Sequence, residues 1–128
     1  MTITVMIVDD SKLARIVAGK KLSALQPEWE RVEAANSDQA MELAAAQPID
    51  VALVDFNMPG KNGIELAEEL RQTYPQMSIA ITSANIQDEI ILRARAIQAA
   101  FVAKPLTEEA LSGFIGGVAL RLRAGIKK

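Results

Sequence analysis

Short apolar runs alternate with longer amphipathic segments along this chain, and this alternation restricts the possible folds more than any other feature. The runs are rich in Val and Ile and mostly continuous, which is typical of strands covered by helices on both faces. The segments between them carry apolar residues at helical spacing. The runs lie at residues 3–8, 31–35, 51–54, 79–81 and 100–103. The pattern therefore predicts five repeats of a strand followed by a helix.

Repeated strand–helix units predict a doubly wound α/β domain with a parallel sheet and right-handed crossovers. The chain has 128 residues, which is enough for one buried core and too few for a second domain. We therefore expect one domain over residues 1–128, with a core over about 3–122 and a basic tail over 123–128. Helix starts are expected at Ser37, which can cap the second helix, and at Thr107, which can cap the fifth.

Two absent residue types exclude several classes of site. The chain contains no Cys, which excludes a disulfide framework, a thiolate metal site and a Cys nucleophile. It contains no His, which excludes His acid–base catalysis, imidazole metal ligation and phosphoryl donation from histidine. The formal net charge of −2 gives no general attraction to nucleic acid or anionic membranes. No signal peptide or membrane-spanning stretch is visible, so we expect a cytoplasmic domain without membrane insertion.

Ionisable and hydroxyl residues close four of the predicted strands. In order, these are Asp9 and Asp10, then Asp55, then Thr82 and Ser83, then Lys104. Ligands of doubly wound sheets bind beyond the carboxyl ends of the strands, where the strand order reverses. If the order is 2-1-3-4-5, the first and third strands are neighbours and their three carboxylates converge. Carboxylates this close repel one another, and oxygen ligands without His or Cys favour Mg²⁺ as the ion that relieves the repulsion.

Simpler interpretations exist for the same residues. Asp9 and Asp10 could merely cap the following helix, and Lys104 alone could be a surface lysine. The presence of Asp55 and Lys104 at the matching ends of two other strands favours a functional site over both alternatives.

These motifs, taken together, resemble the receiver domain of two-component response regulators, in its chemotaxis type. The matching residues are Asp9-Asp10-Ser11 with Arg15, Asp55-x-x-Met58-Pro59-x-x-x-Gly63, Ser83-Ala84 and Lys104-Pro105. Each motif alone is weak, but the whole set, in this order and on these elements, is specific. The resemblance implies a flavodoxin-like (βα)5 three-layer sandwich, with a five-stranded parallel sheet in the order 2-1-3-4-5.

The resemblance also implies a phosphorelay role. Asp55 would accept a phosphoryl group from the phosphohistidine of a histidine kinase or a histidine phosphotransfer protein. Asp9, Asp10, Asp55 and the backbone carbonyl of Asn57 would hold Mg²⁺, and Lys104 would neutralise phosphoryl oxygens. A cis Lys104-Pro105 peptide bond is also implied. Such a protein is a signalling receiver that catalyses only its own phosphorylation and dephosphorylation.

Further residues receive switch roles from the resemblance. The family has a hydroxyl followed by a small residue, which favours Ser83 with Ala84, whereas the interval to Lys104 suits Thr82; we take Ser83 as the switch hydroxyl and Thr82 as the alternative. Phe101 would be the aromatic that rotates with it, although plain core packing explains Phe101 equally simply. Asn57 and Asn85 would flank the attacking water and tune the lifetime of the acyl phosphate.

No output domain accompanies these motifs, so we expect a stand-alone receiver that docks on an unknown downstream target or relays its phosphoryl group onward. In the family, the face made by the fourth helix, fifth strand and fifth helix commonly carries the signal. One side of the last helix gathers small or apolar residues, namely Gly113, Gly116, Gly117 and Leu120. This side is a candidate partner or homodimer surface, although a frayed helix that tolerates glycine is the alternative.

Other functions fit the sequence less well. The basic tail suggests nucleic acid only faintly, because no recognition helix or base-stacking aromatics accompany it. A flavodoxin-type FMN carrier needs a phosphate-binding first loop, where this chain has Asp9 and Asp10. A phosphatase with an aspartate nucleophile needs a second Asp where this chain has Asn57. A receiver-like interaction module that signals without phosphorylation remains the main alternative.

Overall fold

A computed structural model describes residues 2–123 of the chain. Within these residues, five parallel strands form one sheet in the order β2-β1-β3-β4-β5, which confirms the predicted topology. The strands are β1 (Thr4–Val8), β2 (Glu30–Ala34), β3 (Val51–Asp55), β4 (Ser78–Ser83) and β5 (Ala100–Ala103). The helices are α1 (Lys12–Leu25), α2 (Ser37–Ala46), α3 (Gly63–Thr73), α4 (Asp88–Ala96) and α5 (Glu108–Arg123). The predicted tail residues 124–128 lie outside the described part of the chain.

Two apolar cores lie on opposite faces of the sheet, which gives the predicted three layers. Alternate residues of a strand point to opposite faces, so each buried strand contributes to both cores. On one face, Met6 and Val54 pack with apolar residues of α2, α3 and α4. On the other face, Ile7 and Leu53 pack with apolar residues of α1 and α5. Every residue of β1, β3 and β4 is buried, as the continuous apolar runs indicated.

Side-chain caps fix the starts of several helices. Asn62 accepts a hydrogen bond from the Glu65 amide at 3.0 Å, while Glu65 Oε1 accepts one from the Asn62 amide at 2.9 Å, which completes a capping box before α3. Thr107 Oγ1 accepts a bond from the Ala110 amide at 2.9 Å, as predicted. The predicted cap of α2 was wrong by one residue, because Asn36 provides the side-chain oxygen and Ser37 is already helical.

Candidate functional site

Three carboxylates meet at the carboxyl edge of the sheet. Asp9 directly follows β1 and Asp55 is the last residue of β3, and these strands are neighbours, so their ends lie side by side. Asp9 and Asp55 are buried, whereas Asp10 is exposed. A carboxylate oxygen from each of the three residues lies within 4.8 Å of those of the other two. The structure therefore brings together the three acidic side chains that the sequence singled out.

Lys104 joins this carboxylate cluster from the end of β5. Its Nζ lies 2.9 Å from Asp9 Oδ2 and 2.9 Å from Asp55 Oδ1. The Lys104 amide donates a hydrogen bond to the Ser83 carbonyl at 2.9 Å, which continues the pairing of β4 with β5 beyond the strand. The Lys104-Pro105 peptide bond is cis, as the family resemblance predicted. One ammonium thus bridges the two buried carboxylates.

Burial and like charge both act on Asp55. Removal of its carboxyl group from water raises the pKa of Asp55, and the charges of Asp9 and Asp10 raise it further, while the hydrogen bond from Lys104 works in the opposite direction. Burial alone would lower the pKa of Lys104, but its bonds to Asp9 and Asp55 outweigh burial and raise the pKa. The cluster therefore holds three acids against one cation, and an added positive charge would relieve the remaining repulsion.

The donor set of the cluster fits a hard divalent cation. All candidate ligand atoms are carboxylate oxygens at close range, and neither His nor Cys occurs in the chain. Mg²⁺ binds through a few carboxylates and keeps several of its waters, so two buried acids and one exposed acid match its requirements. The exposed position of Asp10 leaves one side of such an ion open to solvent or substrate.

Two further residues shape the cluster through the backbone. Arg15 Nη1 donates to the Asp9 carbonyl at 2.6 Å, and its Nε lies 2.8 Å from Glu33 Oε1, so this side chain links α1, the loop after β1 and β2. Gly63 begins α3 against the end of β3, and its amide donates to the Phe56 carbonyl at 3.0 Å. A Cβ on Gly63 would clash with the backbone carbonyl of Asp55. Both residues belong to the sequence motifs, but their roles became visible only in three dimensions.

The two candidate switch hydroxyls occupy different surroundings. Thr82 is the register partner of Asp55 on the neighbouring strand, and residues at one register level point to the same face. Thr82 also lines a cavity that Asp9 and Lys104 line. Ser83 points to the opposite face, where its Oγ accepts a hydrogen bond from the Asn85 amide at 3.0 Å. The structure therefore places Thr82, and not the favoured Ser83, on the face of the carboxylate cluster.

The remaining predicted site residues lie around this edge of the sheet. Phe101 is half-buried in β5, opposite Ile81 of β4. Asn57 and Asn85 are exposed in the loops after β3 and β4. Their side chains form no hydrogen bond with the carboxylate cluster among the described residues. The proposed metal ligation by the Asn57 carbonyl stays a prediction.

An open cavity of about 300 Å³ adjoins the carboxylate cluster. Asp9, Thr82 and Lys104 form its polar end, and apolar residues of α1, of the strands and of the segment after Lys104 line most of the rest. On the rim, Leu13 is 70% exposed and Val17 is 38% exposed, which is unusual for large apolar side chains beside a polar site. The site is therefore approachable along an apolar surface of α1.

Comparison with known proteins gives a consistent result. The family model of the response regulator receiver domain matches residues 5–115. The nitrate/nitrite response regulator NarL of Escherichia coli K12 is 34% identical over 92 residues, which cover 71% of this chain and 42% of NarL. The transcriptional regulatory protein DegU of Brevibacillus brevis is 33% identical over 90 residues, which cover 70% of this chain and 38% of DegU. This chain therefore spans less than half the length of these two regulators.

Solved structures agree with the sequence relatives. The chemotaxis protein CheY4 of Vibrio cholerae superposes with a TM-score of 0.82 at 26% identity, covering 92% of this chain and 99% of that one. None of the described helices has the length and apolar character needed to cross a membrane. The family match, the strand order and the acidic cluster lead to one conclusion: this chain belongs to the response regulator receiver family of two-component signalling.

Proposed function

We propose that Asp55 is a phosphoacceptor. The observation that carries this proposal is a buried carboxylate held beside two further acids and the ammonium of Lys104. A carboxylate oxygen of Asp55 attacks the phosphorus of a partner's phosphohistidine, and the P–N bond breaks with its electron pair leaving on the imidazole nitrogen. The products are an acyl phosphate on Asp55 and a histidine that takes up a proton. The partner is a histidine kinase or a histidine phosphotransfer protein.

The proposal includes Mg²⁺, held by the carboxylates of Asp9, Asp10 and Asp55 and by the backbone carbonyl of Asn57. When bound, the ion supplies positive charge to the phosphoryl oxygens and to the acids around them. Lys104 provides a second positive charge at the same place. Its present bridge between Asp9 and Asp55 keeps the ammonium within reach of an Asp55 substituent.

We assign the switch hydroxyl to Thr82 and keep Ser83 as the alternative. The shared register with Asp55 and the common cavity with Lys104 support Thr82, because its hydroxyl can reach an oxygen on Asp55 without a change of face. Ser83 would have to give up its bond with Asn85 and turn toward Asp55 from the other face of β4. Phe101 is the proposed switch aromatic; as the register partner of Ile81 it lies on the face of Ser83, which is the observation that keeps Ser83 as the alternative. Asn57 and Asn85 influence how quickly water removes the phosphoryl group.

Two surfaces are proposed for partners. The exposed apolar residues Leu13 and Val17 of α1 line the cavity beside the carboxylate cluster and suit the partner that delivers the phosphoryl group. The α4–β5–α5 face carries Leu92 at 59% and Leu120 at 66% exposure, and it suits a downstream target that reads the phosphorylated state. A homodimer through this second face is the other possible readout. Whether the receiver works as a stand-alone protein or within a longer one is part of the same proposal.

A direct test is incubation with Mg²⁺ and acetyl phosphate, followed by intact-mass spectrometry at neutral pH. We expect a labile increase of about 80 Da, the mass of one phosphoryl group, which disappears in Asp55→Asn and when the metal is chelated. Asp38→Asn is the matched control, since Asp38 is exposed in the first turn of α2 and is not one of the clustered acids. If no donor produced an adduct, the protein would be a receiver-like interaction module that signals without phosphate.

A further inference from the structure

A second polar cleft lies at the opposite end of the sheet from the carboxylate cluster. Its volume is about 580 Å³, which is within the range of small-molecule sites. We name it the α5 cleft; the residues that line it include Arg71, Ser78, Gln98, Gly113, Gly117 and Arg121. Ser78 and Thr82 are four positions apart on β4, so roughly 13 Å of strand separates this cleft from the carboxylate cluster.

Two arginines face the α5 cleft without an opposite charge. Arg71 comes from α3 and Arg121 from α5, and neither forms an ion pair with a carboxylate of the described residues. Partial burial lowers the pKa of Arg71, and the positive charge of Arg121 lowers it further. A cation near the C-terminus of a helix is favourable, and this accounts for Arg121 on α5. It does not account for Arg71, the second cation, which faces the same cleft from α3.

Arg71 also has a free donor. Its Nε and Nη1 donate to the carbonyls of Ile97, Pro75 and Met77, and Nη2 donates to that of Gln98 at 3.1 Å. These bonds use four of the five N–H groups of the guanidinium. They hold the group rigidly and leave one Nη2 hydrogen. Neither this hydrogen nor the Arg121 guanidinium has an acceptor among the described residues.

Ser78 provides an independent observation that points to a ligand in the α5 cleft. It is 7% exposed, and its Oγ has no hydrogen-bond partner among the described residues. Ser78 shares a strand face with Ala80, which packs in the core beneath α5, so its side chain points toward the cleft. Buried hydroxyls are nearly always paired, and an unpaired one beside two cations calls for an acceptor.

Glycines keep the α5 cleft open. Gly113 and Gly117 are one helical turn apart and line the cleft, and a Cβ at either position would meet no atom within 4 Å. Gly116 is equally unobstructed but does not line the cleft. The glycine side of α5 therefore divides into a part that forms the cleft and a part that faces outward with Leu120.

From these observations we propose that the α5 cleft binds the phosphate group of a small phosphorylated molecule. Arg121 and the remaining Nη2 hydrogen of Arg71 donate to the phosphate oxygens, and the Ser78 hydroxyl gains an acceptor. A cleft of about 580 Å³ is larger than inorganic phosphate requires, so a phosphomonoester with an organic group is the better match. The site is independent of Asp55 and of any metal.

The test is a titration of the full chain, without Mg²⁺ and at constant ionic strength, with inorganic phosphate in one arm and adenosine monophosphate in the other. Two-dimensional NMR records the backbone amides. We expect saturable shifts at Ser78, Gly113 and Gly117, with tighter binding of the monophosphate. Tighter binding of inorganic phosphate would identify the free ion as the ligand. Linear, unsaturated shifts, or shifts confined to the Asp55 end, would overturn the proposal.

Three variants separate binding from folding. Arg121→Gln should weaken binding about tenfold through the loss of a charged donor. Gly117→Leu should abolish binding by filling the cleft, while the better helix propensity of Leu keeps the protein folded. Gly116→Leu is its matched control and should bind normally, because this position lies outside the cleft. Equal affinity of Gly117→Leu and the unmodified chain would contradict the proposed location.

Discussion

Replacement of Gly63 by Ala tests how tightly α3 is packed against β3, the strand that ends in the proposed phosphoacceptor Asp55. A Cβ at this position would lie 2.8 Å from the carbonyl carbon of Asp55 and 2.8 Å from the Cα of Phe56. Each contact is about 0.7 Å shorter than the separation of roughly 3.5 Å at which carbon atoms pack favourably. All of these atoms belong to the backbone, so no side-chain rotation can relieve the clash. Either the start of α3 or the end of β3 must move.

The expected cost follows from this geometry. Overpacking of a tight site lowers the free energy of unfolding by about 1–3 kcal/mol. A Gly→Ala change also reduces the conformational freedom of the unfolded chain, which offsets about 0.4–1 kcal/mol of that loss. We therefore expect Gly63→Ala to lower the free energy of unfolding by about 1–2 kcal/mol. Because the movement includes Asp55, we also expect phosphorylation by acetyl phosphate to slow by about tenfold, since small displacements of reacting groups are costly.

Urea denaturation and the rate of adduct formation measure the two effects. Gly116→Ala is the matched control, because its Cβ would enter open space on a helix, and it should raise stability by about 0.5–1 kcal/mol without changing phosphorylation. Gly60→Ala is a second control, which tests backbone strain without a steric clash. Gly60 has a φ of +77°, but an added Cβ would meet no atom within 4 Å. We therefore expect the free energy of unfolding to fall while the phosphorylation rate is unchanged. If Gly63→Ala matched the unmodified chain in both assays, the close approach of α3 to Asp55 would be refuted.

Three other predictions address the site. Mg²⁺ at about 100 times its dissociation constant should stabilise the protein by about 2.7 kcal/mol, and Asp10→Asn should remove most of this gain in thermal melts without disturbing the metal-free fold, since Asp10 is exposed. In Thr82→Val, phosphorylation of Asp55 should no longer change the NMR shifts of β5, whereas in Ser83→Ala it should still change them. The opposite result would identify Ser83 as the switch hydroxyl. Asn62→Ala should cost about 1 kcal/mol in urea denaturation, because it removes the capping box of α3; an unchanged midpoint would show that the cap contributes nothing.

The sequence predicted the fold and the carboxylate cluster for the same physical reason. Short, continuous runs rich in Val and Ile favour strands buried on both faces, and their alternation with amphipathic segments favours a parallel sheet. Once the strand order is known, the ends of β1 and β3 must be adjacent, so Asp9 and Asp55 must meet. These inferences depend on periodicity and topology, which do not change if a boundary moves by one residue.

The switch hydroxyl was harder because it depends on a single residue of register. Thr82 and Ser83 are neighbours in β4, and a shift of one position exchanges the two faces of the sheet. The pairing of Asp55 with Thr82 arises from hydrogen bonds between strands, and a local motif does not contain that information. The α5 cleft could not be predicted from the sequence for a related reason. Arg71 and Arg121 are far apart in the chain, and only the packing of the folded protein brings them to the same cleft.

The four hydrogen bonds that Arg71 donates to backbone carbonyls also affect how α4 can move. They tie the turn before β4 to Ile97 and Gln98, directly after α4, and Gln98 has a φ of +59° that a side chain adopts only with support. At its other end, α4 begins after Gln87 without a side-chain cap. The end of this helix is thus held by hydrogen bonds from Arg71, whereas its start has no side-chain cap. We expect a displacement that starts at the end of β4 to move the first turn of α4 more than its last turn.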